Sequence, residues 1–391
     1  MKQEILQKME RAKEGEIPEG WTLEPLKNIL KLELREVDKP NKPYWRLGLR
    51  SHVKGTFHEL IEDPTTVAMD KLFVVKENDL VVNITFAWEH AIAIAEKKDE
   101  GKLVSHRFPT FTLKEGNDPL FFKHLIRTKR FKYDLDVASP GGAGRNRVLN
   151  KTEFMKIKVL RPPYEEQKEI SKILSQEDLK LSIFAKLISS KNRLRRTILR
   201  KLLTRKVRFS EFNSEWKDCK LIDLLDYEQP SKYIANEILP YSDKSVPVLT
   251  ANKSFILGYT TETEGIFKNL PVIIFDDFTI NNKYVDFPFK VRSSALKILK
   301  PRRKDINLRY IFELMQILKI VKGDHKRYYI SEYQHIKVKI PDEKEQKQIA
   351  NFAEILQKEI DTLKKEYDET KKQKRGLMQL LLTGIVKVKV N

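Results

Sequence analysis

The sequence contains a single cysteine, Cys219. That excludes a disulfide framework and any cysteine-ligated zinc site, and it points to a reducing cytoplasm as the compartment. Long apolar runs are missing as well: none approaches the roughly 20 residues of a membrane-spanning helix. The opening stretch, MKQEILQKMERAKEGE, is polar and has no apolar core for a secretion signal. The seven histidines show no metal-ligand spacing. Acid is in deficit, with 55 Asp+Glu against 75 Lys+Arg, a formal net charge of +20. An excess of that size favours a polyanionic partner, because each neutralised phosphate releases a counterion.

The 391 residues, 40% of them apolar, suffice for two or three domains with real cores. They are organised as a repeat. When the chain is shifted by 179 residues, Pro162 meets Pro341 and Glu166-Gln167-Lys168 meets Glu345-Gln346-Lys347. Further on, Leu202-Leu203-Thr204 meets Leu381-Leu382-Thr383 without a gap. A second register, 195, relates Trp21, Leu26 and Leu30 to Trp216, Leu221 and Leu225. With two registers, the helices keep one length while the globular units differ.

Ile349, Ala353, Leu356, Ile360 and Leu363 begin a 4–3 apolar seam that runs to Leu381, the pattern of a coiled coil. Ile170 to Leu202 carries the same seam. Both are broken by polar residues at matching places, Lys191/Arg195 and Thr370/Lys374. Asp342 with Glu345 reads as a capping box after Pro341, and Gly384 as the stop. Two such helices in one chain are expected to pack antiparallel, with one globular head at each end. The heads would then stand one to two turns of B-DNA apart.

The globular units read as mixed α/β. Lys71–Val75 and Leu80–Ile84 look like strands split by a turn, Ala91–Ala95 like a further strand, and Pro119–Arg130 like a short helix. In the second unit Pro247–Thr250, Pro271–Phe275 and Ala295–Leu299 read as strands, and Leu308–Val321 as the matching helix.

Catalytic motifs do not hold up. Arg161-Pro162-Pro163-Tyr164 resembles the Asn/Asp-Pro-Pro-Tyr signature of amino-methyltransferases, but Arg161 is a donor only and cannot accept from a target amine. Gly141-Gly142-Ala143-Gly144 lacks the Lys-Ser/Thr of a P-loop. Pro341-Asp342-Glu343-Lys344 has nuclease-like letters at the wrong spacing. Asp276-Asp277 could bind a metal or accept from a cytosine amine, but reads more simply as a turn.

Basic and aromatic residues are the better candidates. Arg46, Arg50, His52 and Lys54 lie in a loop-like stretch near Trp45. Arg145, Asn146 and Arg147 form a basic loop whose counterpart carries Lys326, Arg327 and Tyr328. Lys232, Tyr233 and Lys253 complete the candidate DNA contacts. Arg suits guanine, Asn suits adenine, and Lys tends to hold phosphate. From Lys180 to Lys206 the first helix has ten Lys/Arg and no acid, a surface for phosphates or for an acidic partner subunit.

The layout resembles the specificity subunit of type I restriction–modification enzymes. The carriers are Trp21 and Trp216, the Pro-x-x-x-Glu-Gln sequences at Pro162–Gln167 and Pro341–Gln346, and the paired Leu-Leu-Thr sequences. Tyr227–Pro230, Phe255–Tyr259 and Phe275–Thr279 are similar to a recurrent target-recognition type. The first copy departs from the pattern with Arg205 where the second has Gly384.

The resemblance implies an α+β chain with a pseudo-twofold repeat. It has an N-terminal segment completing the repeat (1–20), target-recognition domains at 21–160 and 208–340, and spacer helices at 161–207 and 341–391. It implies a non-catalytic subunit that reads a bipartite site in double-stranded DNA and docks two methyltransferase subunits, with restriction subunits able to join. S-adenosylmethionine, ATP and magnesium belong to those partners, with none in this chain and no membrane contact. The alternative is a coiled-coil scaffold that reads no sequence, which would have no need of two basic loops.

Overall fold

A computed structural model describes residues 16–141, 147–241, 245–251, 254–318 and 327–390. The chain divides into two compact units, residues 1–185 with 366–391 and residues 186–365. Each unit holds one head and the segments of both long helices on which that head stands.

The first unit begins with β1 (Thr22–Pro25), α1 (Leu26–Ile29), β2 (Leu30–Leu32), β3 (Glu36–Asp38), β4 (Tyr44–Leu49) and β5 (Thr56–Ile61). Next come β6 (Lys71–Val74), β7 (Leu80–Val82), β8 (Ile92–Ile94), β9 (Leu103–Val104) and β10 (Thr110–Leu113). Then follow α2 (Pro119–Leu125), α3 (Lys129–Val137), α4 (Lys151–Lys156), β11 (Lys158–Arg161) and the long helix α5 (Tyr164–Leu203). β1 pairs antiparallel with β11, Thr22 opposite Arg161, which ties the start of the head to the foot of α5. A four-stranded sheet runs β2-β10-β7-β8, and a five-stranded one β3-β6-β9-β4-β5.

The second unit has β12 (Lys217–Lys220), α6 (Leu221–Leu224), β13 (Leu225–Glu228), β14 (Val246–Leu249), β15 (Ile256–Thr260) and β16 (Val272–Asp276). It continues with β17 (Asn282–Val285), β18 (Lys290–Val291), β19 (Leu296–Pro301), α7 (Leu308–Ile317), α8 (Tyr328–Ser331) and β20 (Lys337–Ile340). The second long helix, α9, spans Glu343–Leu382. β12 pairs with β20, Lys217 opposite Ile340, just as β1 pairs with β11. The sheet β13-β19-β16-β17 repeats the order of β2-β10-β7-β8 element for element. The other sheet has only three strands, β15-β14-β18.

Each long helix has 40 residues, about 60 Å at ~1.5 Å per residue. Every seam position named above is buried or half-buried. In the first unit Ile170 and Leu174 of α5 share a core with Leu377, Leu381 and Leu382 of α9. In the second, Leu199, Leu202 and Leu203 share one with Ile349, Ala350 and Ala353. The start of each helix thus meets the end of the other, and the two run antiparallel within each unit. Among the described residues no helix is long and apolar enough to cross a membrane.

Several local expectations need correction. The strands expected over Lys71–Val75 and Leu80–Ile84 are shorter, Lys71–Val74 and Leu80–Val82, and they lie in different sheets. Asn78, with φ 69°, reverses the chain between them. The helix expected over Pro119–Arg130 is two helices, because the Thr128 hydroxyl accepts from Phe131 N–H and starts α3 afresh. Asp342 does cap α9 by accepting from Glu345 N–H at 3.0 Å, but the Glu345 carboxylate turns to other partners, so the reciprocal box is absent. Gly384 has φ 67°, and a Cβ there would lie 2.4 Å from Pro18. Arg205, at the equivalent place, adopts φ 59° without being glycine, and its guanidinium is held by both oxygens of Glu215.

Candidate nucleic-acid interface

Each head is fixed to its helix by one buried indole. Trp21 Nε1 donates to Glu166 at 3.0 Å, and Trp216 Nε1 donates to Glu345 at 3.1 Å. The tryptophan and the Glu-Gln pair found by register are therefore joined in space. Gln167 and Gln346 extend the anchor, each accepting at 2.9 Å from a backbone N–H, that of Asp118 or Asn307.

In the first head Arg46 lies within β4 and not in a loop as expected; strand alternation continues through it. It pairs with Glu59 across the sheet at 2.7 Å. Arg50 leaves the same face two pleats on. Its guanidinium stands 5.1 Å from the centre of the Phe57 ring and donates to the Thr56 carbonyl at 3.1 Å. Phe57 lies flat over Gly48, where a Cβ would sit 2.3 Å from the ring. His52 and Lys54 are exposed at the turn, with His52 and Val53 both at positive φ. His52 N–H donates to Glu89 O, Val53 N–H to His90 O, and the Ser51 hydroxyl to Glu89 Oε2. This binds the turn to the 86–90 segment.

Arg147 reaches the same segment from the other side. Its guanidinium lies 5.6 Å from the Trp88 ring centre, and it donates to the carbonyls of Ser139 and Asp136 at the end of α3. It also pairs with the Asp136 carboxylate at 3.0 Å. Arg147 and the turn that carries His52, far apart in sequence, therefore meet on the 86–90 segment, while the Arg50 guanidinium stays on Phe57 and Thr56. Arg145 and Asn146 lie outside the described residues, as do Lys253, Lys326 and most of the N-terminal segment.

In the second head one candidate, Tyr328, is held through its backbone by Asp277, which is 1% exposed. Its carbonyl accepts from Tyr328 N–H at 3.0 Å and its Oδ1 from Tyr329 N–H at 2.8 Å. Lys297, equally buried, stands 3.4 Å from Asp277 Oδ2 and donates to Gln229 Oε1 at 3.1 Å. Asp276 Oδ1 accepts from the N–H groups of Phe278 and Thr279. The Asp276-Asp277 pair is therefore a turn and a capping acceptor, the simpler of its two readings. Lys232 is exposed. The Tyr233 hydroxyl donates to Glu228 at 2.6 Å, and that bond, with burial, pushes its pKa up to about 12. Arg327 is exposed, whereas Tyr328 is 2% exposed and is a core side chain of this head.

Three exposed aromatics join the basic candidates. Trp45 stands on β4, Phe86 beside the Trp88 cluster, and Phe278 at the tip of the Asp276 turn. The available signal was an aromatic next to a basic or turn residue, as in Trp45-Arg46.

The basic stretch of α5 is partly consumed internally. Lys191 pairs with Glu359 and Arg195 with Glu313. Lys186, Arg193, Arg196, Arg200 and Lys201 remain exposed. Among them stand exposed apolar residues, Leu179 and Ile183 in the first unit, Leu187 and Leu194 in the second.

Residues 24–190 match the family described as type I restriction modification DNA specificity domain. The EcoR124I/EcoR124II specificity subunit of Escherichia coli is 43% identical over 148 residues, 36% of this chain and 36% of that one. The chain thus spans about a third of that relative's length. The MjaVIII specificity subunit of Methanocaldococcus jannaschii is 23% identical over 354 residues, covering 82% of each. Among solved structures, the S subunit of a type I restriction-modification system from M. genitalium superposes with a TM-score of 0.60 at 16% identity, over 93% of this chain and 96% of that one. That likeness extends the shared fold across both halves. Beside the duplicated Trp–Glu anchors, the repeated sheet and the paired 40-residue helices, these matches make the chain similar to the specificity subunits of type I restriction–modification enzymes.

Proposed function

We propose that this chain is the DNA-reading subunit of a type I restriction–modification complex, with each head recognising one half of a bipartite site. Residues 21–160 and 208–340 are the readers; 161–207 and 341–391 form the spacer, and residues 1–20 close the repeat. The observation that carries this reading is a constant four-stranded scaffold, repeated strand for strand, supporting two unlike second sheets. A scaffold without sequence reading would not need heads that differ in this way. In the first head Arg46, Arg50, His52, Lys54 and Arg147 face DNA, joined by Arg145 and Asn146. In the second, Lys232, Tyr233 and Arg327 do so with Lys253 and Lys326. Tyr328 supports that surface from inside.

The helix pair sets the distance between half-sites and docks two methyltransferase subunits. The apolar residues Leu179, Ile183, Leu187 and Leu194 among the lysines and arginines of α5 favour a protein partner there over phosphate. Methyl transfer and any ATP-driven cleavage then belong to those partners, which bring S-adenosylmethionine, ATP and magnesium. The test is to replace residues 21–160 by another head and map methylated adenines across a host genome that also expresses the methyltransferase subunit. One half-site should change and the other persist. A change in both halves would end the modular reading.

A further inference from the structure

Where each head meets the helix pair, an ion-pair cluster is assembled, and the two clusters are built from opposite sides. The equivalence of positions is fixed by bonds both halves make. Asp118 and Asn307 cap α2 and α7, and their N–H groups donate to Gln167 and Gln346. Six residues beyond each cap stand His124 and Glu313. The gapless register of the long helices makes Asp178 the counterpart of Gln357, and Arg195 the counterpart of Lys374.

In the first unit the carboxylate belongs to the helix. Asp178 accepts from Lys374 Nζ and from Arg127 Nη1, the latter at 3.2 Å. His124, 1% exposed, has Nδ1 3.8 Å from Asp178 and Nε2 3.3 Å from Ser175 Oγ. Burial, with the Lys374 ammonium nearby, brings the His124 pKa down to about 3, so the imidazole adds no charge. In the second unit the carboxylate belongs to the head. Glu313, 2% exposed, accepts from Arg195 Nη2 at 2.6 Å and is paired with Arg309 at 3.0 Å. At the helix position matching Asp178 stands the uncharged Gln357, which donates to Asp361.

We propose that these clusters are a placement key: each head is matched by charge to its own end of the helix pair. The first head brings a cation and a neutral ring, and requires a carboxylate on the helix. The second brings the carboxylate, and requires a helix without one. With the heads exchanged, Arg127 and Arg195 would meet with no acid, and Glu313, with its own Arg309, would be set against Asp178 and Lys374. Each native cluster sets one carboxylate against two cations; exchange leaves two cations without a carboxylate at one end and puts two carboxylates together at the other, and in partly buried sites the unanswered cations are the costlier outcome. Where the heads are readers, the key also fixes which half-site lies at which end.

The test compares full chains in the native order and with residues 21–160 and 216–340 exchanged, each with and without the pair D178Q and Q357D. The readout is the folding equilibrium constant from denaturant unfolding. In the native order the pair should lower that constant about tenfold, and in the exchanged order raise it by a similar factor. The same sign in both orders, or no effect in either, overturns the key. Should the exchanged chain not fold, a cycle in the native order decides. H124E sets two carboxylates together and D178Q removes the only one, so each alone should cost about tenfold. Together they recreate on Lys374 the arrangement Arg195 makes with Glu313, and most of the loss should return. A double variant as weak as the two single losses multiplied would refute the proposal.

Discussion

The first head carries five strands in its second sheet where the second head carries three, yet both stand on the same four-stranded sheet in the same order. What is repeated is the part that touches the long helices: the opening strand paired to the closing one, the indole on the glutamate, the capped short helix on the glutamine. What diverges lies farther along the chain from those anchors. The constraint on the shared part is packing, because a 40-residue seam cannot change one end without losing register with its partner. Among the described residues the apolar clusters of the other sheets include no residue of a long helix, which leaves those sheets freer to differ.

The anchors themselves are not balanced alike. Glu345 is 1% exposed and receives Trp216 together with both nitrogens of an Arg208 fork, at 3.0 and 2.6 Å. Glu166 receives Trp21, and its Oε1 has no hydrogen-bond partner among the described residues. The same fold position thus holds a compensated carboxylate in one unit and a half-satisfied one in the other.

This contrast can be broken most forcefully at Arg208. The R208A variant strands the Glu345 carboxylate in the interior and should cost about 3 kcal/mol, seen as a loss of hydrogen-exchange protection in the second unit alone. Equal loss in both units would mean that the anchors act as one. Next in size is Gly48. A methyl group in the path of Phe57 should cost about 1–3 kcal/mol in G48A and displace the ring beneath Arg50. Urea unfolding of the first unit should register it, and an unchanged midpoint would show that the five-stranded sheet yields easily.

A third difference is in pH response. His124 has a folded pKa near 3, below its unfolded value of about 6.5. The unfolded chain therefore binds the extra proton between those values, and the first unit loses stability as pH falls through that window, by up to about 1.4 kcal/mol per pH unit. Lys374, Lys123, Arg127 and Asp178 face the ring and set this behaviour. H124N should flatten the slope in the first unit; an unaltered slope assigns the effect elsewhere. The smallest effect is expected from E166Q, which keeps an acceptor for Trp21 while removing a half-satisfied charge. Its midpoint should stay within about 1 kcal/mol of the parent, whereas E345Q, which deprives Arg208 of its partner, should fall well below.

Much of the architecture was legible because the repeat is written in residues that packing cannot vary. The two seams, the tryptophans and the Glu-Gln pairs all fell where register placed them, and the polar interruptions at Arg195 and Lys374 proved to be a half-buried and a buried cation with carboxylate partners. Strand order was not legible. Nothing local says that Lys71–Val74 and Leu80–Val82, five residues apart, join different sheets. The candidate interface was readable only as scattered basic residues. That Arg147 folds back on Trp88, or that Tyr328 turns inward while Arg327 stays out, depends on contacts far along the chain.

The sequence by itself determined the duplication, the length and pitch of the helices and the basic charge of the chain, since periodicity and composition are local properties. Only the tertiary structure decided which carboxylate answers each buried cation. Asp178 lies on a long helix and Glu313 on a head, and no spacing rule distinguishes them. The partner of a buried charge is whichever acid the fold brings within hydrogen-bond reach, and that distance is set by packing between elements rather than by the order of residues along one of them.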